Sequence, residues 1–166
     1  MNNNKKTIFI ISGPLGVGKT TVSKKIVDTL KEGVLIEGDT LLHALNSINR
    51  LSWEEKLALT WKNIESISRN LIKRDLDVVI DFVVEEELEW FRNEVLDLAV
   101  KVSYFVLLAD ESTIIGRLKK RGDIKYWDRS KDLLEKFKND PRNRDNIVDT
   151  TGKSVDEVVE IVLERT

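Results

Sequence analysis

The chain has 166 residues, 41% of them hydrophobic and 34% charged, a composition that is typical of a globular protein and excludes a disordered one. Its net charge of −2 argues against a partner that is a nucleic-acid backbone, and the absence of Cys excludes disulfides and thiolate metal sites. The short apolar run near the N-terminus predicts neither a signal peptide nor a membrane span, so we expect one cytoplasmic domain over residues 1–166, with no membrane partner.

Five short runs rich in Val, Ile and Phe predict β-strands. They are Thr7–Ser12, Val34–Glu37, Leu76–Asp81, Val102–Leu108 and Asn146–Val148. Most of them lack the alternation of polar and apolar residues that marks a half-exposed sheet, which favours parallel strands buried on both faces.

Helical patterns fill the intervals between these strands. The predicted helices are Lys19–Lys31, Thr40–Asn46, Ser52 to about Lys73, Glu86–Leu98, Glu111–Arg121, Ser130–Lys138 and Ser154 to Glu164. Two of them open with a capping box, formed by Ser52 with Glu55 and by Ser154 with Glu157, and Gly33 is placed to end the first. The alternation of strands and helices predicts a doubly wound α/β domain.

The segment between the first strand and the first helix, Gly13–Thr20, reads GPLGVGKT and matches the pattern G-x-x-x-x-G-K-[ST] in full. Glycine lets the backbone curl its N–H groups around phosphate oxygens, and the next helix points its positive end at the same anion. Lys19 would reach the β and γ phosphates of ATP, and the Thr20 hydroxyl would bind Mg²⁺. The predicted nucleotide-binding residues here are Gly13, Leu15, Gly16, Val17, Gly18, Lys19, Thr20 and Thr21.

Aspartates stand at or just after the ends of four predicted strands, where open α/β sheets bind their ligands. Asp39 is predicted to accept the proton of an attacking hydroxyl or to hold Mg²⁺ through water, against the alternative of a simple helix cap. Asp81 is the predicted second partner of Mg²⁺. Asp110 is predicted to cap the next helix only, and for Asp149 base contact and capping stay equally open.

Arg117 and Arg121 lie four residues apart and project from one face of a helix end. Guanidinium groups there would bind the phosphoryl group during its transfer. The alternative is a solvated basic helix end. A polar segment over roughly 122–145 follows and is predicted to be a mobile lid. It carries Arg129, Arg142 and Arg144, which the sequence does not rank.

Two further sets of residues are interpreted mainly as packing. His43, the single histidine, either packs or lines the acceptor pocket. Trp53, Leu57, Trp61 and Ile64 follow helical spacing and are predicted to lie in the core.

In series, the stretches GPLGVGKTT, LIEGDTLL, DVVIDFV, IIGRLKKRGD and IVDTTGKSVDEVV resemble the small P-loop kinases of the nucleoside-monophosphate-kinase-like group, which includes shikimate kinases and chloramphenicol-phosphotransferase-like proteins. The resemblance implies a three-layer P-loop fold, with helices on both faces of a five-stranded parallel sheet of order 2-3-1-4-5. It also implies that Asp39 faces the acceptor hydroxyl, Arg117 lies against adenine and Arg121 against phosphate.

The sequence departs from these families in its middle, where no glycine occurs from position 40 to 115 and Phe82 stands in place of a second acid. The predicted function is therefore an ATP- and Mg²⁺-dependent kinase for a hydroxyl of an unnamed small molecule, with Lys19, Asp39 and Arg121 as catalytic residues. The alternatives are a regulatory ATP-binding protein without a small acceptor and a polynucleotide 5′-kinase. The sequence says nothing of the oligomeric state.

Overall fold

The computed structural model describes residues 5–166. Five strands form one parallel sheet: β1 (Thr7–Ser12), β2 (Gly33–Glu37), β3 (Asp77–Asp81), β4 (Lys101–Leu108) and β5 (Ile147–Asp149). Their order in the sheet is β2-β3-β1-β4-β5, so the predicted topology is confirmed.

In the described part of the chain, seven α-helices flank the sheet on both faces: α1 (Lys19–Thr29), α2 (Gly38–His43), α3 (Trp53–Ile72), α4 (Leu88–Glu94), α5 (Glu111–Arg121), α6 (Trp127–Asn139) and α7 (Val155–Glu164). Short 3₁₀ turns lie at Leu96–Leu98, Ile124–Tyr126 and Pro141–Asn146. Both predicted capping boxes are present, at the starts of α3 and α7. Among residues 5–166 the structure has no helix with the length and apolarity needed to cross a membrane.

Several helix boundaries differ from the predictions. The first helix ends at Thr29 because Leu30 already has an extended backbone, and Gly33 begins β2 instead of ending the helix. The predicted helix Glu86–Leu98 is wrong at both ends. At its start, the Glu87 carboxylate accepts hydrogen bonds from the N–H groups of residues 85 and 86 and holds them in a turn. After Glu94 the helix stops, and a separate 3₁₀ turn follows. By contrast, α6 begins earlier than predicted, since a 3₁₀ turn leads directly into it.

The core lies between the sheet and its helices. Ile8, Ile10 and Ile80 of the central strands are fully buried, as the continuous apolar runs predicted. Trp61 of α3 packs against Phe82 and Phe91, with ring centroids 5.4 and 5.8 Å away. These three rings fill the space between α3 and the end of β3 and so support the loops at that edge of the sheet.

Trp61 and Ile64 are buried as predicted, whereas the prediction that Trp53 belongs to the core is wrong. Trp53 is the first residue of α3 and its side chain is 56% exposed. Leu57, one turn further on, is only partly buried against the core. Helical spacing identifies the apolar face of a helix, but it does not show whether other residues cover that face as far as the first turn.

Candidate nucleotide and phosphate-transfer site

The phosphate-binding loop, residues 13–18 between β1 and α1, has the backbone conformation that its glycines predict. Gly13 and Gly16 have φ of 141° and 79°, in the left-handed region that other residues avoid. A Cβ at Gly13 would lie 2.3 Å from the Leu107 carbonyl oxygen, and one at Gly16 would lie 2.8 Å from Leu118. Glycine is therefore needed both for the turn and for the close approach of β4 and α5 to the loop.

Lys19 folds back over this loop. Its Nζ donates hydrogen bonds to the carbonyl oxygens of Gly13 and Pro14, at 3.0 and 3.1 Å. Burial lowers the pKa of Lys19, and the negative charges of Asp81 and Asp39 act against that shift. The ammonium group, the loop and both acids therefore belong to one electrostatic environment.

Thr20 and Asp81 meet although 61 positions separate them. The Thr20 hydroxyl donates a hydrogen bond of 2.6 Å to Oδ2 of Asp81, at the end of β3. Asp81 is only 7% exposed, and burial raises the pKa of its carboxyl while the Thr20 hydrogen bond and the Lys19 charge lower it. The pair supplies one hydroxyl and one carboxylate oxygen beside the phosphate-binding loop.

The Thr20 hydroxyl and the Asp81 carboxylate fit a Mg²⁺ ion that is held jointly by the protein and by substrate phosphates. Such an ion keeps several waters and needs only one or two protein oxygens, in contrast to a metal held wholly by protein. No cluster of three or more His, Cys, Asp or Glu that could hold a metal ion occurs within residues 5–166.

Asp39 lies in the first turn of α2, directly after β2, and its side chain is exposed. The parallel register pairs Glu37 with Asp81, which brings the ends of β2 and β3 side by side. Asp39 is thus accessible from solvent, and its negative charge acts on Lys19 and on Asp81. His43 lies in the last turn of the same helix and is also exposed.

Arg117 and Arg121 border a cavity of about 260 Å³ next to the loop. Arg117 donates a 2.5 Å hydrogen bond to the Val17 carbonyl oxygen, and Arg121 forms a 3.0 Å ion pair with Asp123. Thr21 and Thr150 line the same cavity, and the Thr150 hydroxyl is buried without a hydrogen-bond partner among the described residues. The cavity offers a partly apolar wall and several donors beside the phosphate-binding loop.

The side chains of Asp110 and Asp149 accept hydrogen bonds from backbone N–H groups close to them in sequence. Asp110 caps α5 by accepting a 2.7 Å hydrogen bond from the Thr113 N–H, as predicted. Asp149 accepts a 2.9 Å hydrogen bond from the Thr151 N–H in the turn before α7, whose N-cap is Ser154, and base contact by Asp149 stays a prediction.

The predicted lid segment is largely helical. It consists of two 3₁₀ turns and α6, which buries Ser130, Leu133, Leu134 and Phe137 against the rest of the protein. Two of its arginines contact the loop after β3: Arg129 pairs with Glu85, and Arg142 pairs with Glu86 at 3.1 Å. That this segment moves as a lid stays a prediction.

The sequence interpretation gave no role to Glu85, Glu86 or Ser130. The two glutamates belong to the acidic run Glu85–Glu87, and its opposite charge to the arginine-rich 122–145 segment was the only available signal. Ser130 donates a 2.7 Å hydrogen bond to the carbonyl oxygen of Leu15, which is 115 positions earlier in the sequence. No local sequence pattern predicts such a contact.

Comparison with known proteins is consistent with this architecture. A family model described as "AAA domain" matches residues 8–140. The protein named "Probable adenylyl-sulfate kinase" of Halalkalibacterium halodurans is 26% identical over an alignment that covers 98% of this chain and 81% of that protein.

Solved structures share the fold at low sequence identity. The tunicamycin resistance protein of Deinococcus radiodurans superposes with a TM-score of 0.73 at 18% identity, covering 97% of this chain and 95% of that one. The APS kinase CysC of Mycobacterium tuberculosis, in complex with AMPPNP and APS, gives 0.70 at 16% identity and covers 96% of each chain. The chain therefore belongs to the AAA domain family, and its fold is that of the small P-loop kinases of the nucleoside-monophosphate-kinase-like group.

Proposed function

We propose that this protein is an ATP- and Mg²⁺-dependent kinase that transfers the γ-phosphate to a hydroxyl group of a small molecule. The observation that carries the proposal is the complete phosphate-binding loop with the 2.6 Å Thr20–Asp81 hydrogen bond beside it. Both would form part of a nucleotide site, and Asp39 is exposed and its charge acts on Lys19 of the loop. A cytoplasmic location follows from the use of ATP and is part of the proposal.

The triphosphate would be held by the backbone N–H groups of the loop and by the start of α1. Lys19 would leave the carbonyl oxygens of Gly13 and Pro14 and turn its ammonium group to the β and γ phosphates. Arg117 would flank the nucleoside in the adjoining cavity, with Thr21 at its edge. These contacts fix the donor and supply positive charge where negative charge shifts during transfer.

Thr20 and Asp81 would hold Mg²⁺. When bound, this ion would supply positive charge that neutralises part of the charge on the phosphates. The hydroxyl of Thr20 already points at Asp81, so the metal-binding oxygens are brought together before the nucleotide arrives.

Asp39 is the group that would meet the acceptor. Its position after β2 lets it accept the proton of the attacking hydroxyl or orient a metal-bound water. In a loose transition state the base need not be strong, so an exposed aspartate suffices. Arg121 would break its ion pair with Asp123 and bind the phosphoryl group during transfer.

The single domain would have a lid over residues 122–145 that closes on the bound nucleotide and excludes water. Arg129 and Arg142 are held by Glu85 and Glu86 and would have to exchange these partners to reach phosphate.

A screen for acceptors tests the proposal. Purified protein with ATP and Mg²⁺ is offered a panel that begins with adenylyl sulfate, the compound in the name of the aligned relative, and adds sugar acids and hydroxylated antibiotics. The expected result is ADP release that depends on one compound and falls by about 10²-fold or more in Lys19→Met, which removes the cation at the phosphates.

Lys31→Met is the matched control, because Lys31 is an exposed lysine beyond the far end of α1. Acceptor-dependent ADP release at the wild-type rate in Lys19→Met would contradict the role of Lys19. ADP release that no compound stimulates would instead favour the regulatory alternative.

A further inference from the structure

Two carbonyl groups of the phosphate-binding loop are held by side chains from outside it. The Leu15 carbonyl oxygen accepts a 2.7 Å hydrogen bond from the Ser130 hydroxyl of α6. The Val17 carbonyl oxygen accepts a 2.5 Å hydrogen bond from Arg117 of α5. Ser130 is completely buried, so water does not compete for its hydroxyl.

The direction of a carbonyl fixes the direction of the next N–H group. In a trans peptide the C=O of one residue and the N–H of the following residue point to opposite sides, and no peptide bond within the described part of the chain is cis. The Gly16 N–H therefore points away from Ser130, and the Gly18 N–H points away from Arg117.

This constraint matters at both peptides, because each carbonyl is followed by a glycine, which tolerates a reversed peptide at little steric cost. A reversal would present a carbonyl oxygen to the phosphates in place of an N–H group, and the two would repel each other. The loop sequence does not prevent that reversal, whereas a hydrogen bond to the Leu15 carbonyl does.

We propose that Ser130 is a positioning residue of the phosphate-binding loop, whose hydroxyl holds the Leu15–Gly16 peptide so that the Gly16 N–H faces the triphosphate. This inference rests on the proposed function, because it assumes that the loop binds a triphosphate. It also ties the predicted lid helix to the loop. Arg129, the neighbour of Ser130, contacts Glu85 after β3, so α6 touches both sides of the site.

The test measures the affinity of the full chain for inorganic tripolyphosphate with Mg²⁺ by calorimetry. Ser130→Ala removes one hydrogen bond and should weaken tripolyphosphate binding by about 3- to 10-fold. Ser130→Thr keeps the hydroxyl and should restore most of the affinity. Ser68→Ala is the matched control: Ser68 is equally buried, lies in α3, and its hydroxyl has no hydrogen-bond partner among the described residues, so its affinity should equal that of the wild type.

A second measurement does not depend on the folding of Ser130→Ala. In ¹⁵N-labelled wild-type protein and in Ser130→Thr, the Gly16 amide resonance should move downfield when tripolyphosphate binds, as for an N–H that donates to an anion. A Gly16 resonance that does not respond, or a folded Ser130→Ala variant that binds tripolyphosphate as the wild type does, would overturn the proposal.

The two proposals fail differently. Tripolyphosphate needs no acceptor, so protein that shows these binding effects but phosphorylates no compound would contradict the kinase function only. Wild-type protein that binds neither ATP nor tripolyphosphate would contradict both.

Discussion

Asp81 is buried and Lys19 is half-buried, so the fold keeps both charged groups largely out of water. Burial lowers the pKa of Lys19 and raises that of Asp81, so in each case the environment disfavours the charged form. The opposite charge of each group offsets part of the free-energy cost of burying the other. In the proposed reaction the triphosphate and Mg²⁺ would offset more of that cost. The ligand-free site should therefore be less stable than an apolar site of the same shape.

Asp81→Asn tests this interpretation through the pH dependence of stability. A carboxyl whose folded pKa is raised contributes stability below its unfolded pKa, near 3.8, and loses that contribution as the pH rises through the folded value. Wild-type protein should therefore lose stability relative to Asp81→Asn between pH 4 and pH 7. Urea unfolding of both proteins at the two pH values measures the difference.

The same variant should bind Mg²⁺ about 10- to 100-fold more weakly in the presence of ATP, since it alters a group proposed to hold the metal. An Asp81→Asn protein whose relative stability falls between pH 4 and pH 7 would contradict the assignment of burial as the dominant effect.

At the scale of elements, the junction of β2 and α2 lies close against the end of β3. A Cβ built at Gly38 would lie 2.3 Å from Cγ of Phe82, the residue that follows β3. Phe82 is itself fixed by Trp61 of α3, so it has little room to retreat. Gly38 thus lets the β2–α2 turn, which carries Asp39, lie against the end of β3.

Gly38→Ala should therefore lower the free energy of unfolding by about 1–3 kcal/mol, as overpacking in a core does. Gly116→Ala is its matched control, since a Cβ at that position of α5 meets nothing within 4 Å and alanine favours a helix by up to about 1 kcal/mol. Chemical denaturation should show opposite signs for the two variants. Equal effects would contradict the role of the Gly38–Phe82 contact.

Elements were predictable where the pattern is local. Buried strands, capping boxes and the phosphate-binding loop each follow from adjacent residues, and the structure has them at or within a residue or two of the predicted positions. The start of α4 was not predictable, because Glu87 uses its carboxylate on the turn before the helix. The exposure of Trp53 depends on which residues pack against the start of α3, and the spacing of residues within α3 carries no information about them.

At the scale of the molecule, the parallel sheet gathers the site from distant parts of the sequence. The order β2-β3-β1 places the end of β3, with Asp81, between the β2–α2 turn and the phosphate-binding loop. This grouping of Asp39, Asp81 and the loop could be predicted, because the ends of parallel strands meet at one edge.

The contacts of α6 with the rest of the site could not be predicted in the same way. Ser130 reaches Leu15, and Arg129 reaches Glu85, through pairings of single side chains that impose no periodicity on the sequence. Their positions depend on where α6 packs against the core. The proposed acceptor could not be predicted either, because no motif in the sequence corresponds to a particular compound.

The central claim, transfer of the γ-phosphate to a hydroxyl, is tested most directly by following the label of [γ-³²P]ATP. With an acceptor from the screen, the wild-type protein should place the label on the acceptor, and Asp39→Asn should slow this by about 10²-fold or more, as removal of a general base does. Label released as inorganic phosphate at the same rate with and without acceptor, and unchanged in Asp39→Asn, would contradict the account.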